Sequence, residues 1–358
     1  MLSTKLSSCY LAISLLAMPG TSTANIDLSQ YQANYEKGEY KTVVSDLKSL
    51  QLDNFTPEHY ELYVASLSRI NLDDAEEAAN QAIVAYSENA DMYLMHASVM
   101  GDQASDSIFS ALGYAKKALA SLEKATALEP NDPKYLNGLM SFYLMAPSIA
   151  GGDTEKALAL ANDISILDEI KGIAAKARYF SSVDDYDNAY ITIEQGIESF
   201  PAEIELHAQL ASLYVREDEH IKAIGAYQRA AKLVPAALSE NELAIDDVKQ
   251  KYESHIYFMY NAHYQIGRVA LLGDVMYEKG IQHLDTYISL HQNSNVKLKG
   301  LPSTDWALLR KAGLLYASKQ AKEAQATLAL INVNESERLE DTYKKLSKKV
   351  NRAVQKMI

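Results

Sequence analysis

The chain carries eight histidines, and two pairs of them stand out by spacing. His255 and His263 are eight residues apart, as are His283 and His291. On a helix that interval puts each pair on one face, two turns and about 12 Å apart. One metal ion cannot bridge that distance, so these read as packing or surface histidines, and no metal site is expected. The run Asp184-Asp185-Tyr186-Asp187-Asn188 has the acids of a calcium loop but lacks its glycine and distal glutamate. An acidic helix start explains it better. Gly151-Gly152-Asp153 stands where free amides at a helix start could hold an anion, with Asp153 expected to cap the helix itself. The sequence contains no GxSxG elbow, no GxxxxGK(S/T) phosphate loop, no HExxH and no GxGxxG. The expectation is therefore no catalysis, no cofactor and no metal.

The elements that position these residues are helices. The chain holds only 15 Gly and 8 Pro in 358 residues, too few for an all-β protein, which turns every ten residues or so. Ala, Leu, Glu and Lys are abundant, which favours helix. Residues 1–24 form a separate segment: Lys5, a short apolar run from Tyr10 to Met18, Pro19-Gly20, and small residues at Ser22 and Ala24. This is the pattern of a secretory signal peptide, and it predicts a periplasmic location, with secretion from the cell as the further option. No later run is long and apolar enough to span a bilayer. The single cysteine, Cys9, lies inside the leader, so the exported chain has neither disulfides nor thiol chemistry to call on.

Without the leader, 33 basic and 47 acidic residues remain, a net charge of −14. An acidic surface argues against nucleic acid as a partner. Thr342 to Ile358 runs the other way, with six basic residues and no acids. Cations near a helix C-terminus complement its dipole. The same stretch could also dock the chain on an acidic partner or on anionic lipid.

The clearest repeat runs from Ile204 to Ala237. Leu210, Ala211, Tyr214, Ala223, Tyr227, Ala230 and Pro235 occupy its marked positions. Small residues let the two helices of a hairpin approach closely, large aromatics fill the gaps between hairpins, and Pro235 ends the second helix. A preceding unit, 34 residues back, has Ala177, Phe180, Ala189, Gly196 and Pro201 in matching places. On these residues the chain resembles the tetratricopeptide (TPR) family. Looser units cover 26–50, 57–86, a stretched unit from Tyr93 to Pro130 with a loop at Gly101–Ser107, and Pro133–Glu169. After Pro235 the period breaks. Ser239 and Glu242 form a capping box, opening one long helix or two nearly continuous ones. A hairpin follows with its turn at Gly273-Asp274, then a loop-like stretch at 292–303, a degenerate repeat over 306–331 and a capping helix over 339–357.

The resemblance implies an all-α fold, a TPR-type α-solenoid of stacked hairpins. The expected organisation is a signal peptide (1–24), an N-terminal array (25–237), and C-terminal degenerate hairpins with a capping helix (238–358). It also implies a non-catalytic scaffold or adaptor that binds a protein or peptide partner, for instance in assembling an envelope complex. In such arrays the first helix of each hairpin lines the concave face. By register that face holds Lys134, Asn137, Ser141, Lys171, Arg178, Ser212 and Arg216, a partly basic strip able to hold the carboxylates of an extended segment. Two other readings are a peripheral envelope component docked by its basic C-terminal helix, and a helical-toroid enzyme acting on glycans. The latter needs converging carboxylates and aromatic platforms, and Trp306 is the only tryptophan.

Overall fold

The computed structural model describes residues 28–36, 38–50, 55–106, 109–243, 245–293, 300–333 and 337–357. The leader, residues 1–24, lies outside them, as does the centre of the loop-like stretch, residues 294–299. Among the described residues there are eighteen α-helices and no strands. They pair in chain order: α1 (Ser29–Glu36) with α2 (Tyr40–Lys48), α3 (Pro57–Leu67) with α4 (Leu72–Ala85), α5 (Ala90–Asp106) with α6 (Ala111–Leu128), α7 (Pro133–Met145) with α8 (Thr154–Leu167), α9 (Glu169–Ser182) with α10 (Tyr186–Ser199), and α11 (Ile204–Arg216) with α12 (His220–Lys232). A four-residue α13 (Glu240–Leu243) leads into the 27-residue α14 (Asp246–Leu272), which pairs with α15 (Tyr277–Asn293). Then come α16 (Thr304–Ala317), α17 (Ala321–Leu328) and the cap α18 (Glu337–Gln355).

One turn recurs along the stack. Gly38, Asp184, Asp218, Asp274 and Lys319 all have positive φ, between 55° and 76°, and each sits between the first and second helix of its hairpin. The next amide in each case bonds back to the carbonyl five residues earlier: Glu39 to Asn34, Asp185 to Phe180, Glu219 to Tyr214, Val275 to Ala270 and Gln320 to Leu315, at 2.8–3.0 Å. This is the Schellman ending, which satisfies carbonyls that the helix leaves orphaned. The same joint therefore links the degenerate C-terminal hairpins and the regular ones.

The first helices of neighbouring hairpins touch one another in an unbroken series from α1 through α3, α5, α7, α9, α11, α14 and α16 to α18. Each second helix packs on the first helix of the next hairpin, so every hairpin buries its apolar face between two others, as repeat arrays require. Tyr227 and Tyr214 fill inter-hairpin space as their spacing predicts; Tyr227 is 4% exposed. One core cluster runs from Ala177 in α9 to Leu314 in α16, passing under residues 233–239 without interruption. In the α14–α15 hairpin, Gly267 allows the helices to come close: a Cβ there would lie 2.3 Å from Leu284.

The expected loop at Gly101–Ser107 is corrected. Helix α5 continues to Asp106. A lone glycine costs a helix only about 1 kcal/mol, and packing outweighs it. Gln103, buried at 5% exposure, donates to Asp73 at 3.0 Å and Glu76 at 3.2 Å on α4, anchoring the extra turn.

Candidate partner-binding groove

The expected strip is assembled from hydrogen bonds between successive first helices. On α9, the half-buried Arg178 reaches back to α7, where its Nη1 donates to Asn137 Oδ1 at 2.7 Å and to Ser141 Oγ at 3.3 Å. Burial lowers the guanidinium pKa, and the Glu205 carboxylate of α11 partly offsets this. Glu205 is itself pushed up by burial, against the pull of Arg178 and Lys171. Arg178 is thus built into the seam between hairpins rather than freely solvated, and Glu205 is an acid of this strip that register alone did not place there.

The remaining expected groove residues fall into two groups. Lys134 pairs with Asp91 at the start of α5, and Lys171 with the Asp168 that caps its own helix, at 3.5 Å. Both are exposed pairs, which hold little energy. Ser212 Oγ shares a 3.1 Å hydrogen bond with the Tyr227 hydroxyl. Arg216, the last residue of α11, is exposed.

The structure extends the strip where the sequence period had broken. On α14, Arg268 Nε donates to Gln265 Oε1 at 2.5 Å, and Gln265 Nε2 donates to Asn261 Oδ1 at 3.2 Å. These three lie at helical spacing on one face. The Arg268 charge also acts on the buried Tyr227 hydroxyl, whose pKa burial raises. On α16, Arg310 Nε donates to Tyr264 Oη of α14 at 2.6 Å. Its guanidinium carbon lies 5.3 Å from the Tyr264 ring centre and 5.8 Å from that of Trp306. Arg338 of α18 lies 5.9 Å from the same Trp306 ring. These are cation–π distances.

Five of the eight arginines in the chain, Arg178, Arg216, Arg268, Arg310 and Arg338, lie on α9, α11, α14, α16 and α18. Among the described residues, none of the five has a carboxylate within ion-pairing distance, whereas lysines across the molecule do. A periodic signal at 261, 265 and 268 could have found the α14 part. The Arg310–Tyr264–Trp306 stack joins residues 46 apart and has no local signature.

The other residues with chemical interest are structural. Asp185 caps α10 and Asp153 caps α8, accepting from Glu155 and Lys156 amides at 3.1 Å. His255 and His263 pair with residues outside α14, whereas His291 bonds within α15. His255 meets Glu203 at 3.1 Å, His291 meets the Tyr287 hydroxyl at 3.0 Å, and His263 Nδ1 lies 2.9 Å from His283 Nδ1. Burial and His283 depress the His263 pKa to about 4. Among the described residues no group of three or more His, Cys, Asp or Glu could hold a metal ion, and no helix is long and apolar enough to cross a membrane. The tyrosine-rich stretch of α14 faces the core through Tyr260 and Tyr264, at 7% and 3% exposure, with Tyr252 and Phe258 packed beside them.

Comparison by sequence finds no matching family model and no matching curated protein. Solved structures do match. Yeast Tom70 is similar over 91% of this chain and 61% of its own, with 14% identity and a TM-score of 0.56. A thermophilic TPR protein of Thermus thermophilus is similar over 52% of this chain and 97% of its own (17% identity, TM-score 0.42). A tetratricopeptide repeat protein of Parabacteroides merdae covers 80% and 97% (13% identity, TM-score 0.43). This chain thus spans less than two thirds of Tom70, and the likeness is one of fold. Together with the stacked hairpins and their repeated joint, the Tom70 match establishes the architecture: this chain is a TPR-type α-solenoid.

Proposed function

We propose that this protein is an exported scaffold whose inner face binds an extended, acid-rich segment of a protein partner. The observation that carries the reading is the set of arginines on α9, α11, α14, α16 and α18 that, among the described residues, have no carboxylate within ion-pairing distance, in a chain whose net charge is −13. A guanidinium offers a planar fork that matches a carboxylate, and stacking on Trp306 and Tyr264 holds that fork in place before binding. Packed helices sit about 8–10 Å apart, and an extended chain advances about 3.3 Å per residue. Acids recurring about every third residue would therefore meet arginines on successive hairpins. Export rests on the leader at residues 1–24, and assembly of an envelope complex is the setting that export and a scaffold fold together suggest.

Two experiments test this. Fractionation with N-terminal sequencing of the expressed protein should find the chain outside the cytoplasm and beginning at Asn25; an uncleaved cytoplasmic chain would remove the export half of the proposal. A photo-cross-linking residue in place of Gln265, used in the native cell, should capture a partner through an acidic segment. The same probe in an Arg268→Gln, Arg310→Gln background should lose it. Undiminished capture in that background would contradict binding by these arginines.

A further inference from the structure

Helix α18 carries a second cationic surface of a different kind. Leu339 and Val350 are fully buried, and Tyr343, Leu346 and Val354 pack beside them against α16 and α17. At 100° per residue these five fall on one side of the helix. Lys344, Lys345, Lys348, Lys349, Arg352 and Lys356 fall within a sector of about 140° on the opposite side. All six are exposed. They span about 18 Å along the axis. Lys344 pairs with Glu340 at 2.6 Å. Among the described residues the other five have no carboxylate within ion-pairing distance.

This face sits in a strongly asymmetric chain. Residues 25–237 contain 33 acids and 16 bases, while residues 238–358 contain 14 acids and 17 bases. Among the described residues, the acids elsewhere in the chain form no ion pair with Lys345, Lys348, Lys349, Arg352 or Lys356. Its composition also separates it from the groove. Five of its six cations are lysines, and no aromatic stands among them. Lysine is depleted at specific protein interfaces, where arginine and aromatics concentrate. It is a compact, well-hydrated point charge without a directional fork. A row of such charges on a rigid cylinder suits a diffuse, planar array of negative charge better than a shaped protein site. Each lysine or arginine held near an anionic bilayer contributes about 1 kcal/mol. The apolar side of α18 is used up in packing, so nothing is left to insert into a membrane, and adhesion has to be electrostatic and salt-sensitive.

We infer that the outer face of α18 docks the protein on a membrane surface rich in anionic lipid headgroups. This does not depend on what the groove binds. The test is co-sedimentation of the full chain, without its leader, with vesicles of pure phosphatidylcholine and with vesicles containing roughly 30% phosphatidylglycerol, at roughly 50 and 300 mM salt. The expected result is binding to the anionic vesicles at low salt, at least tenfold weaker at high salt, and absent with the neutral ones. A Lys345→Gln, Lys348→Gln, Lys349→Gln, Arg352→Gln variant, which leaves the buried face intact and is checked for folding by circular dichroism, should lose at least tenfold in binding. An Arg268→Gln, Arg310→Gln groove variant should bind vesicles like the parent. Absence of binding to anionic vesicles, or binding that the four-site variant keeps, would overturn the inference. So would capture of polyglutamate by this face without capture of vesicles, which would assign it to an acidic protein instead.

Discussion

Two cationic regions stand in this acidic chain, and they are made differently. In the groove, Arg178, Arg268 and Arg310 are half-buried between hairpins and hydrogen-bonded to Asn137, Ser141, Gln265 and Tyr264, with Arg310 stacked on Trp306, while Arg216 and Arg338 are exposed. The outer face of α18 uses exposed cations, five lysines and Arg352. In the first, packing fixes the direction of those three half-buried charges. In the second, packing fixes only which side of the helix the charges occupy. A site built the first way can select a partner by geometry; one built the second way responds to charge density alone. The contrast predicts which perturbations harm one region and spare the other.

The largest effect should come from the scaffold under the groove. Tyr227→Ala removes a buried aromatic and the hydroxyl that meets Ser212, and should cost about 3–5 kcal/mol. Urea unfolding would show this as a lower midpoint. A midpoint within experimental error of the parent would mean that hairpin packing does not set the groove.

Acid should come next. The His263–His283 pair joins α14 to α15 and faces Gln228 of α12, with the Lys279 and Lys232 charges close by. Both imidazoles are depressed by burial, His263 to about 4. In the unfolded chain they take up protons near pH ~6.5. Stability is therefore at its full value above pH ~6.5 and falls as pH drops from there towards about 4, by a few kcal/mol. A His263→Gln variant should flatten that dependence. An unchanged pH profile in the variant would place the acid sensitivity elsewhere.

A smaller effect sharpens the comparison directly. Arg310→Lys keeps the charge but loses the planar fork and its stacking, and should weaken partner binding about tenfold, or roughly 1.4 kcal/mol. Lys348→Arg on α18 should leave vesicle binding unchanged. Equal sensitivity to both exchanges would erase the distinction between a shaped and a diffuse site. The smallest effect belongs to Lys134 and Lys171, whose exposed pairs with Asp91 and Asp168 should each contribute about 0–1 kcal/mol. Alanine at either position should barely move the melting temperature; a drop of many degrees would show that these pairs hold the hairpins together.

Sequence periodicity reached the architecture because TPR packing has strict size rules: Ala223 and Ala230 must be small, Tyr227 large, and Pro235 must stop a helix. It faded after Pro235 because α14 runs to 27 residues, against 13 in α11 and α12, although the same joint recurs at Asp274 and Lys319 in left-handed geometry. Only Gly38 announces that conformation by its residue type; aspartate adopts it without being diagnostic, and lysine adopts it rarely. Register proposed Asn137, Ser141 and Arg178 for one strip, and the structure joins these three by hydrogen bonds. Arg268, Arg310 and Glu205 were not legible by register, because their roles arise from contacts between helices far apart in sequence. Register proposed a groove position for Arg178 but could not show that Asn137 and Ser141 already hold it.

Whether the groove arginines read spaced carboxylates is tested most directly by a display selection. Random twelve-residue peptides would be selected on the folded protein and on its Arg268→Gln, Arg310→Gln variant. Peptides with Asp or Glu about every third residue should be enriched, and that enrichment should be lost in the variant. Enriched peptides without acids, or acidic peptides held equally well by the variant, would contradict a groove that binds through its arginines.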